Sequence, residues 1–210
     1  MIDLYTWITP NGRKASIALE EMGLPYTTHA VDLTKDEQFK PDFLKISPNN
    51  RIPAIVDREN GFHLMESGAI LLYLAEKTGK LLPRGLAQRY RVTEWLMWQM
   101  GGIGSILGQV HHFAKHNPGK APYAEERFLK EANRLYGVLD RRLAEREYVA
   151  DEYSIADIAI WPWISRYEWQ QIDFSHYPHV KRWYTQIAKR PAVQKGYDVP
   201  KKVNEIPIPA

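Results

Sequence analysis

The 210-residue sequence contains no cysteine. This excludes disulfide staples and thiolate metal sites, and it fits a cytosolic chain. It also restricts chemistry, because any thiol reaction must use a sulfur brought by a ligand. Strong charge of one sign is missing too. There are 28 Lys and Arg against 25 Asp and Glu, a net +3, with the two signs interleaved. A nucleic-acid binder should carry a basic stripe, so no nucleic-acid partner is expected. Arg141-Arg142 and Lys201-Lys202 read as solvated faces. Long apolar runs are absent: the longest, Ala69 to Ala75, is far too short to span a bilayer. The start, Met1-Ile2-Asp3-Leu4, has neither a basic leader nor an apolar signal core. A membrane partner is therefore not expected, and the expected location is cytoplasmic. No internal repeat or low-complexity block is found.

What is present is a 44% hydrophobic composition, enough for a full core. Seven Trp and twelve Tyr are many. They suit an aromatic-lined cavity or a large interface, or else a helical core built from aromatics. The length suits one large or two small domains.

Ile2 to Trp7 reads as a strand, and Ile8-Thr9-Pro10-Asn11-Gly12 as a loop. Ala15, Ala18, Leu19 and Met22 then fall on one helical face. Gly23 and Pro25 stop that helix. Tyr26 to Leu33 reads as a second strand, parallel to the first through a right-handed crossover. Residues 35–46 read as irregular or briefly helical. A hairpin around Asn60-Gly61 and a helix from Ser67 follow. The order β-α-β, β-β-α matches a thioredoxin-like α/β layer over residues 1–80, with a mixed four-stranded sheet.

Residues 81–87, with Pro83 and Gly85, read as a linker. Residues 88–210 then read as an all-α helical bundle with an extended tail. A long helical segment runs from Gln88 to about His116. Gly101, Gly102, Gly104 and Gly108 lie on it with the wrong spacing for a nucleotide loop, so they read as points of close approach for helices or a ligand. Tyr123 to Arg146 is helical. Ser154-Ile155-Ala156-Asp157 is a capping box opening a helix that is apolar nearly all round, which Pro162 is expected to interrupt. Val180 to Lys189 reads as the last helix. His112 and His116 stand four apart as zinc ligands can, but no HExxH pattern or acidic third ligand accompanies them. No metal is expected.

Residues 49–74 hold the densest signals. Pro53 sits at the mouth of a short buried strand, Ala54 to Val56, where it cannot join the ladder. Ile52 is biased toward extended backbone, so its N–H and C=O can pair with a bound peptide. Ser67 caps a helix whose N-terminus suits an anion. One short peptide could span both points. An ordinary strand–turn–strand–helix fits the same residues.

Thr9-Pro10-Asn11-Gly12, Arg51-Ile52-Pro53-Ala54, Glu66-Ser67-Gly68-Ala69-Ile70 and the Ser154 to Asp157 box, in this order and spacing, resemble the cytosolic glutathione transferase superfamily from Met1 to about Pro191. Ser47-Pro48-Asn49-Asn50-Arg51-Ile52-Pro53 and the Trp98-Gln99 to Gly108-Gln109-Val110-His111-His112-Phe113 stretch are similar to its nu class, glutathione-using disulfide-bond reductases. The resemblance implies that Ile52 pairs with the cysteinyl backbone of glutathione, with Pro53 cis. It implies that Glu66 and Ser67 hold the γ-glutamyl end, that Gln38 approaches the glycyl carboxylate, and that Arg127 reaches the ligand from a partner subunit of a homodimer. A solvated helix-surface arginine is the plainer reading of Arg127.

Thr9 and Asn11 are the candidate catalytic residues, as donors to the glutathione thiolate at a helix N-terminus. Each can instead be a plain helix cap or turn residue, and Tyr5 is the rival donor. Because the chain has no thiol of its own, glutathione acts as co-substrate, reduced or oxidised, with a small disulfide or electrophile as the other partner. Three activities are expected in order: disulfide reduction with weak conjugation, conventional conjugation of small electrophiles, and non-catalytic glutathione binding.

Overall fold

The computed structural model describes residues 1–209. Its first compact unit opens with β1 (Ile2–Thr6), α1 (Pro10–Met22) and β2 (Tyr26–Ala30), with β2 parallel to β1. Two 3₁₀ turns, Leu33–Lys35 and Glu37–Phe39, and the single turn α2 (Pro41–Leu44) occupy the stretch expected to be irregular. β3 (Ala54–Asp57), β4 (Phe62–Met65) and α3 (Ser67–Thr78) complete the βαβ-ββα order. The sheet order is β2-β1-β3-β4, with β3 antiparallel to both neighbours. This is the expected mixed four-stranded layer. β2 is shorter than its apolar pattern suggests. It gives way after Ala30 because the Asp32 carboxylate accepts the Thr34 N–H at 2.9 Å and starts a turn.

α1 starts and stops as its sequence dictates. Thr9 is the N-cap, accepting the Gly12 N–H at 3.1 Å, and Pro10 takes the first helical position. Gly23 closes it at φ 70°. Its burial exceeds the apolar stripe, however, since every residue from Gly12 to Leu19 is buried, Arg13, Lys14 and Ser16 included. The cover on the polar side comes from far along the chain. α9 (Pro191–Tyr197) packs on α1. Ser16 Oγ donates to the Gly196 carbonyl at 2.7 Å, and Arg13 Nε donates to the Tyr197 carbonyl at 3.1 Å with its guanidinium 3.4 Å from the Tyr197 ring centre. Arg190 forks onto Glu21 at 2.6 and 2.8 Å.

The first unit therefore comprises Met1–Leu82 and Lys189–Ile206. Residues 189–206 thus pack with the first unit, although residues 88–210 read as one helical stretch in the sequence. α9 was not expected as a helix. Seven residues have little helical stability alone, and what fixes these is contact with α1, which no local periodicity records.

The second unit, Pro83–Ala188 with the chain from Pro207, is all-α. α4 (Leu86–Trp98) and α5 (Gly104–Val110) are joined by a π-helical turn, Gln99–Ile103, and a second π turn, His111–His116, follows. The long segment is thus continuous but locally underwound twice. α6 (Pro122–Ala144), α7 (Ile155–Ile164) and α8 (Pro178–Ala188) complete the unit. The capping box is formed: Ser154 caps, and Asp157 accepts the Ser154 and Val149 N–H groups and the Trp183 indole N–H. Pro162 does not interrupt α7, contrary to expectation. The helix continues to Ile164, every residue of it is buried, and Ser165 Oγ donates to the Pro162 carbonyl at 2.8 Å. Packing on all sides outweighs the one bond that proline removes. Trp161 and Trp183 are fully buried, so much of the aromatic content here is core. Gly104 and Gly108 lie against the Trp163 ring system, which is the close approach that small residues allow.

A Cβ at position 196 would stand 2.6 Å from Ile17 Cα and 2.7 Å from Ile17 N. Gly→Ala inside a helix ordinarily stabilises by up to about 1 kcal/mol. Here Gly196→Ala should instead destabilise by about 1–3 kcal/mol, as overpacking does. Urea denaturation followed by circular dichroism measures this, and an unchanged or raised midpoint would show that α9 does not rest on α1 in solution.

Candidate functional site

One row of the sheet sets the geometry. Tyr5 pairs with Ala54, and Ala54 pairs with Met65. β1 therefore ends, β3 begins and β4 ends at the same edge. The parallel pairing of Thr6 with Ala30 ends β2 there too. The segments that follow or precede these points must converge: Trp7 to Thr9 and α1, Ile52-Pro53, Glu66-Ser67 and α3, and the turns holding Gln38. Trp7, Ile52 and Ala54 pack in one buried cluster. Two helix N-termini, of α1 and α3, stand at this edge. Neither carries an acidic residue in its first turn, so their partial positive charge is left to a ligand.

Thr9 and Asn11 lie at the start of α1, both half-buried. The Thr9 hydroxyl accepts from Gly12, so the capping role is real. An accepting hydroxyl still carries its own proton to donate, and capping does not remove Thr9 from a donor role. Gly12 permits the arrangement: a Cβ there would lie 2.2 Å from the Trp7 carbonyl oxygen and 2.5 Å from Thr6 Oγ1. Tyr5 is directed elsewhere. It stacks on His29 with ring centres 4.6 Å apart and touches Phe43. It lines a cavity of about 470 Å³ with Val31, Pro41 and Ile46. Burial, then the charge of Asp3, raises its hydroxyl above the usual tyrosine range, which does not suit a donor poised to share its proton with a thiolate.

The Ile52–Pro53 peptide is cis. Both residues are buried, and Ile52 lies outside the paired register, which closes at Ala54. Its backbone is thus not consumed by the sheet. Glu66 occupies the α3 N-cap at φ 69°, ψ 112°, a conformation that side-chain-bearing residues rarely adopt. Such strain collects at ligand-contacting positions. The Glu66 side chain is exposed and caps nothing. Ser67 follows, 4% exposed, as the first residue of α3 rather than its cap. Its hydroxyl accepts from Lys14 Nζ at 3.2 Å. Sequence reasoning missed Lys14. The available signal was a cationic residue inside the helix that follows the candidate loop, one position before the apolar stripe starts.

Gln38 lies on the second 3₁₀ turn, where its amide donates to Asp36 at 3.3 Å and its Oε1 is buried without a hydrogen bond. Arg127 belongs to the second unit, on α6. It lines an open groove of about 640 Å³ with Ile106, Tyr123, Phe128, Glu131 and Arg134.

His111, His112 and His116 also lie in the second unit. The π turn changes which of them share a face. His111 and His116, five apart, both set their rings edge-on to Trp169 at 5.5 and 5.7 Å, while His112 turns to Phe113. This corrects the expected pairing of His112 with His116. Gln170 donates its amide N–H to the Trp163 carbonyl at 2.8 Å and meets His111 Nε2 at 3.0 Å. An amide nitrogen only donates, so that Nε2 accepts and the ring is neutral. Burial draws the His111 pKa down to about 4. Among the described residues no group of three His, Asp or Glu is arranged to hold a metal, and no helix is long and apolar enough to cross a membrane.

Known proteins share this architecture. Residues 9–77 match the family model "Glutathione S-transferase, N-terminal domain", and residues 105–191 match "Glutathione S-transferase, C-terminal domain". The chain is 52% identical to disulfide-bond oxidoreductase YfcG of Escherichia coli K12, over 91% of this chain and 92% of that one. It is 41% identical to disulfide-bond oxidoreductase YghU of the same organism, over 93% and 73%. Among solved structures, a glutathione transferase from Pseudomonas putida with one glutathione disulfide per subunit is 47% identical and superposes with a TM-score of 0.90, covering 95% of this chain and 91% of that one. Another, from Burkholderia graminis with two glutathione molecules per subunit, is 44% identical at a TM-score of 0.89, covering 96% and 89%. With relatives this similar over nearly the whole of this chain, and a fold and family models in agreement, the chain belongs to the glutathione S-transferase family.

Proposed function

We propose that this protein is a glutathione-dependent disulfide-bond reductase that holds the glutathione thiolate at the start of α1. The observation that carries the reading is the combination of a cysteine-free chain with 52% identity to a disulfide-bond oxidoreductase. No mixed disulfide with the protein can form, so the sulfur chemistry runs between substrates. The thiolate of one glutathione attacks one sulfur of the substrate disulfide, forming a glutathione mixed disulfide and releasing one thiolate, which takes up a proton. A second glutathione thiolate attacks the glutathione sulfur of that intermediate, forming glutathione disulfide and releasing the other thiolate. Two glutathiones are oxidised for each disulfide reduced. Glutathione-bound relatives, one with the disulfide form and one with two molecules per subunit, support a pocket that takes both partners.

The roles of the chain's own residues follow from position. Ile52 offers its unpaired-register backbone to the cysteinyl unit beside Pro53. Glu66 faces the γ-glutamyl amine, and Ser67 with the α3 N-terminus faces its carboxylate. Gln38 faces the glycyl carboxylate, to which only its side-chain N–H can donate. Thr9 and Asn11 donate to the sulfur. A free thiol has a pKa of about 8.5. Lowering it by about two units requires roughly 2.7 kcal/mol of preference for the thiolate, and charge-assisted bonds supply about 1.5–3 kcal/mol each. Two donors and a helix end therefore suffice. Because the reaction consumes reduced glutathione, we place it in the reducing cytosol.

Asn11→Ala and Thr9→Ala should each lower kcat/KM for glutathione-driven reduction of a small disulfide about 10–100-fold, the loss of one charge-assisted donor. Each should also move the pH midpoint of the rate upward toward the free thiol. Tyr5→Phe should stay within about twofold of wild type, since its ring packing is kept. Steady-state kinetics across pH measures all three, and a larger loss in Tyr5→Phe would reverse the assignment. The same enzyme should conjugate an aromatic halide only weakly.

The protein is further proposed to act as a homodimer. Leu86, Tyr90 and Met97 on α4 are 73%, 64% and 49% exposed. Their spacing puts them on one face, and apolar side chains grouped in this way mark contact surfaces. Arg127 is assigned to the partner's ligand. Sedimentation should give twice the monomer mass, and Tyr90→Glu should shift it toward the monomer. A monomer at micromolar concentration would exclude the role of Arg127.

A further inference from the structure

Lysine is mostly found exposed, but Lys14 is 1% exposed. Its stem crosses from the second turn of α1 to the first residue of α3, and Nζ donates to Ser67 Oγ at 3.2 Å. Since that bond occupies a lone pair of Oγ, the serine's own proton is directed away from Lys14. Burial lowers the Lys14 pKa from 10.5 to about 7, and the negative charge of Glu66 opposes the shift. The other charged groups on the packed elements are engaged elsewhere. Lys195 of α9 pairs with Glu20, Arg13 lies on Tyr197, Asp3 of β1 pairs with Arg58, and Lys77 in the last turn of α3 pairs with Asp57. Glu76 shares that last turn, and the charge that bears on Lys14 is Glu66.

Resting on the glutathione site proposed above, we infer that Lys14 is a positioning residue for the γ-glutamyl carboxylate, acting from behind Ser67 as the buried counter-charge of that anion. An anion seated on Ser67 and the α3 N-terminus stabilises the ammonium. Near neutral pH, part of the population must then take up a proton when the ligand binds. The affinity of the site becomes coupled to pH through a group that touches neither the sulfur nor the second substrate.

The probe is S-methylglutathione, whose sulfur cannot ionise and so cannot release a proton of its own. Calorimetric titration at pH 7.5 in buffers of different ionisation enthalpy should report uptake on the order of half a proton per site by wild type. Lys14→Met should lose that uptake and bind about 10–100-fold more weakly, as for a lost charge-assisted contact. The S-methyl 4-aminobutyryl-cysteinyl-glycine analogue lacks the γ-glutamyl carboxylate. It should bind wild type without the uptake, and should bind both proteins within about threefold of each other, which a merely misfolded variant would not do. If Lys14→Met does not fold, the two probes on wild type still decide. Binding of S-methylglutathione without proton uptake, or equal uptake with both probes, would overturn the role of Lys14 and leave the glutathione site standing. Failure of wild type to bind S-methylglutathione at all would remove that site, and this inference with it.

Discussion

The row Tyr5–Ala54–Met65 is the constraint on which the site depends. Strand pairing has a two-residue period, so a slip of one position would turn every side chain to the other face. Here the buried residues Ile2 and Leu4 of β1 and Ile55 of β3 leave no such freedom. Once the register is fixed, three strands must end and one must begin at the same edge. The Thr9 loop, the Ile52–Pro53 peptide and the Glu66–Ser67 junction are then neighbours by topology. None of them needs a long-range side-chain contact to find the others. Only the helices must be held in azimuth, and Lys14 to Ser67 ties α1 to α3 where both begin.

α1 carries more of this burden than its sequence suggests. It supplies Thr9 at its cap, Asn11 in its first turn and Lys14 in its second, and it is buried from Gly12 to Leu19. A helix with two cations and a serine in that stretch would be a poor core element if one side faced nothing. α9 resolves this by giving Arg13 a ring and a carbonyl and giving Ser16 a carbonyl. Buried polar groups are tolerated when satisfied and expensive when not. The C-terminal return of the chain therefore supports the helix that follows the Thr9 loop, although it lies well over a hundred residues away in sequence.

This division explains what could be read from the residues alone. Caps, turns and breakers are local, so Thr9, Gly23, the Asn60-Gly61 turn and the Ser154–Asp157 box were legible in type and place. The fold class followed from their order. α9 was not legible, because seven residues with a central glycine make no stable periodic signal. Pro162 misled for a related reason: proline breaks helices by a local rule, but a helix buried on every side holds past it. The histidine pairing failed because a π turn replaces the assumed spacing of four with one of five. Lys14 was hidden by the ordinary expectation that a helix lysine is solvated. Its burial and its bond to Ser67 show otherwise.

A chain without cysteine can still be specific for sulfur chemistry if it controls where an imported thiolate sits and how strongly it is held. Binding the thiolate too well would be self-defeating, because the nucleophilicity of a thiolate falls as its pKa falls, and the most effective attacking thiol has a pKa near the ambient pH. Hydroxyl and amide donors suit that requirement better than a full cation beside the sulfur, since each stabilises the charge moderately. Lys14, a buried cation of the N-terminal helix, lies instead against Ser67, at the opposite end of the tripeptide in the proposed pose. Placed there, it would strengthen binding without further lowering the reactivity of the sulfur. Separating the anchoring charge from the reacting atom would let one small site bind a ligand with two carboxylates firmly and still leave its thiolate able to attack.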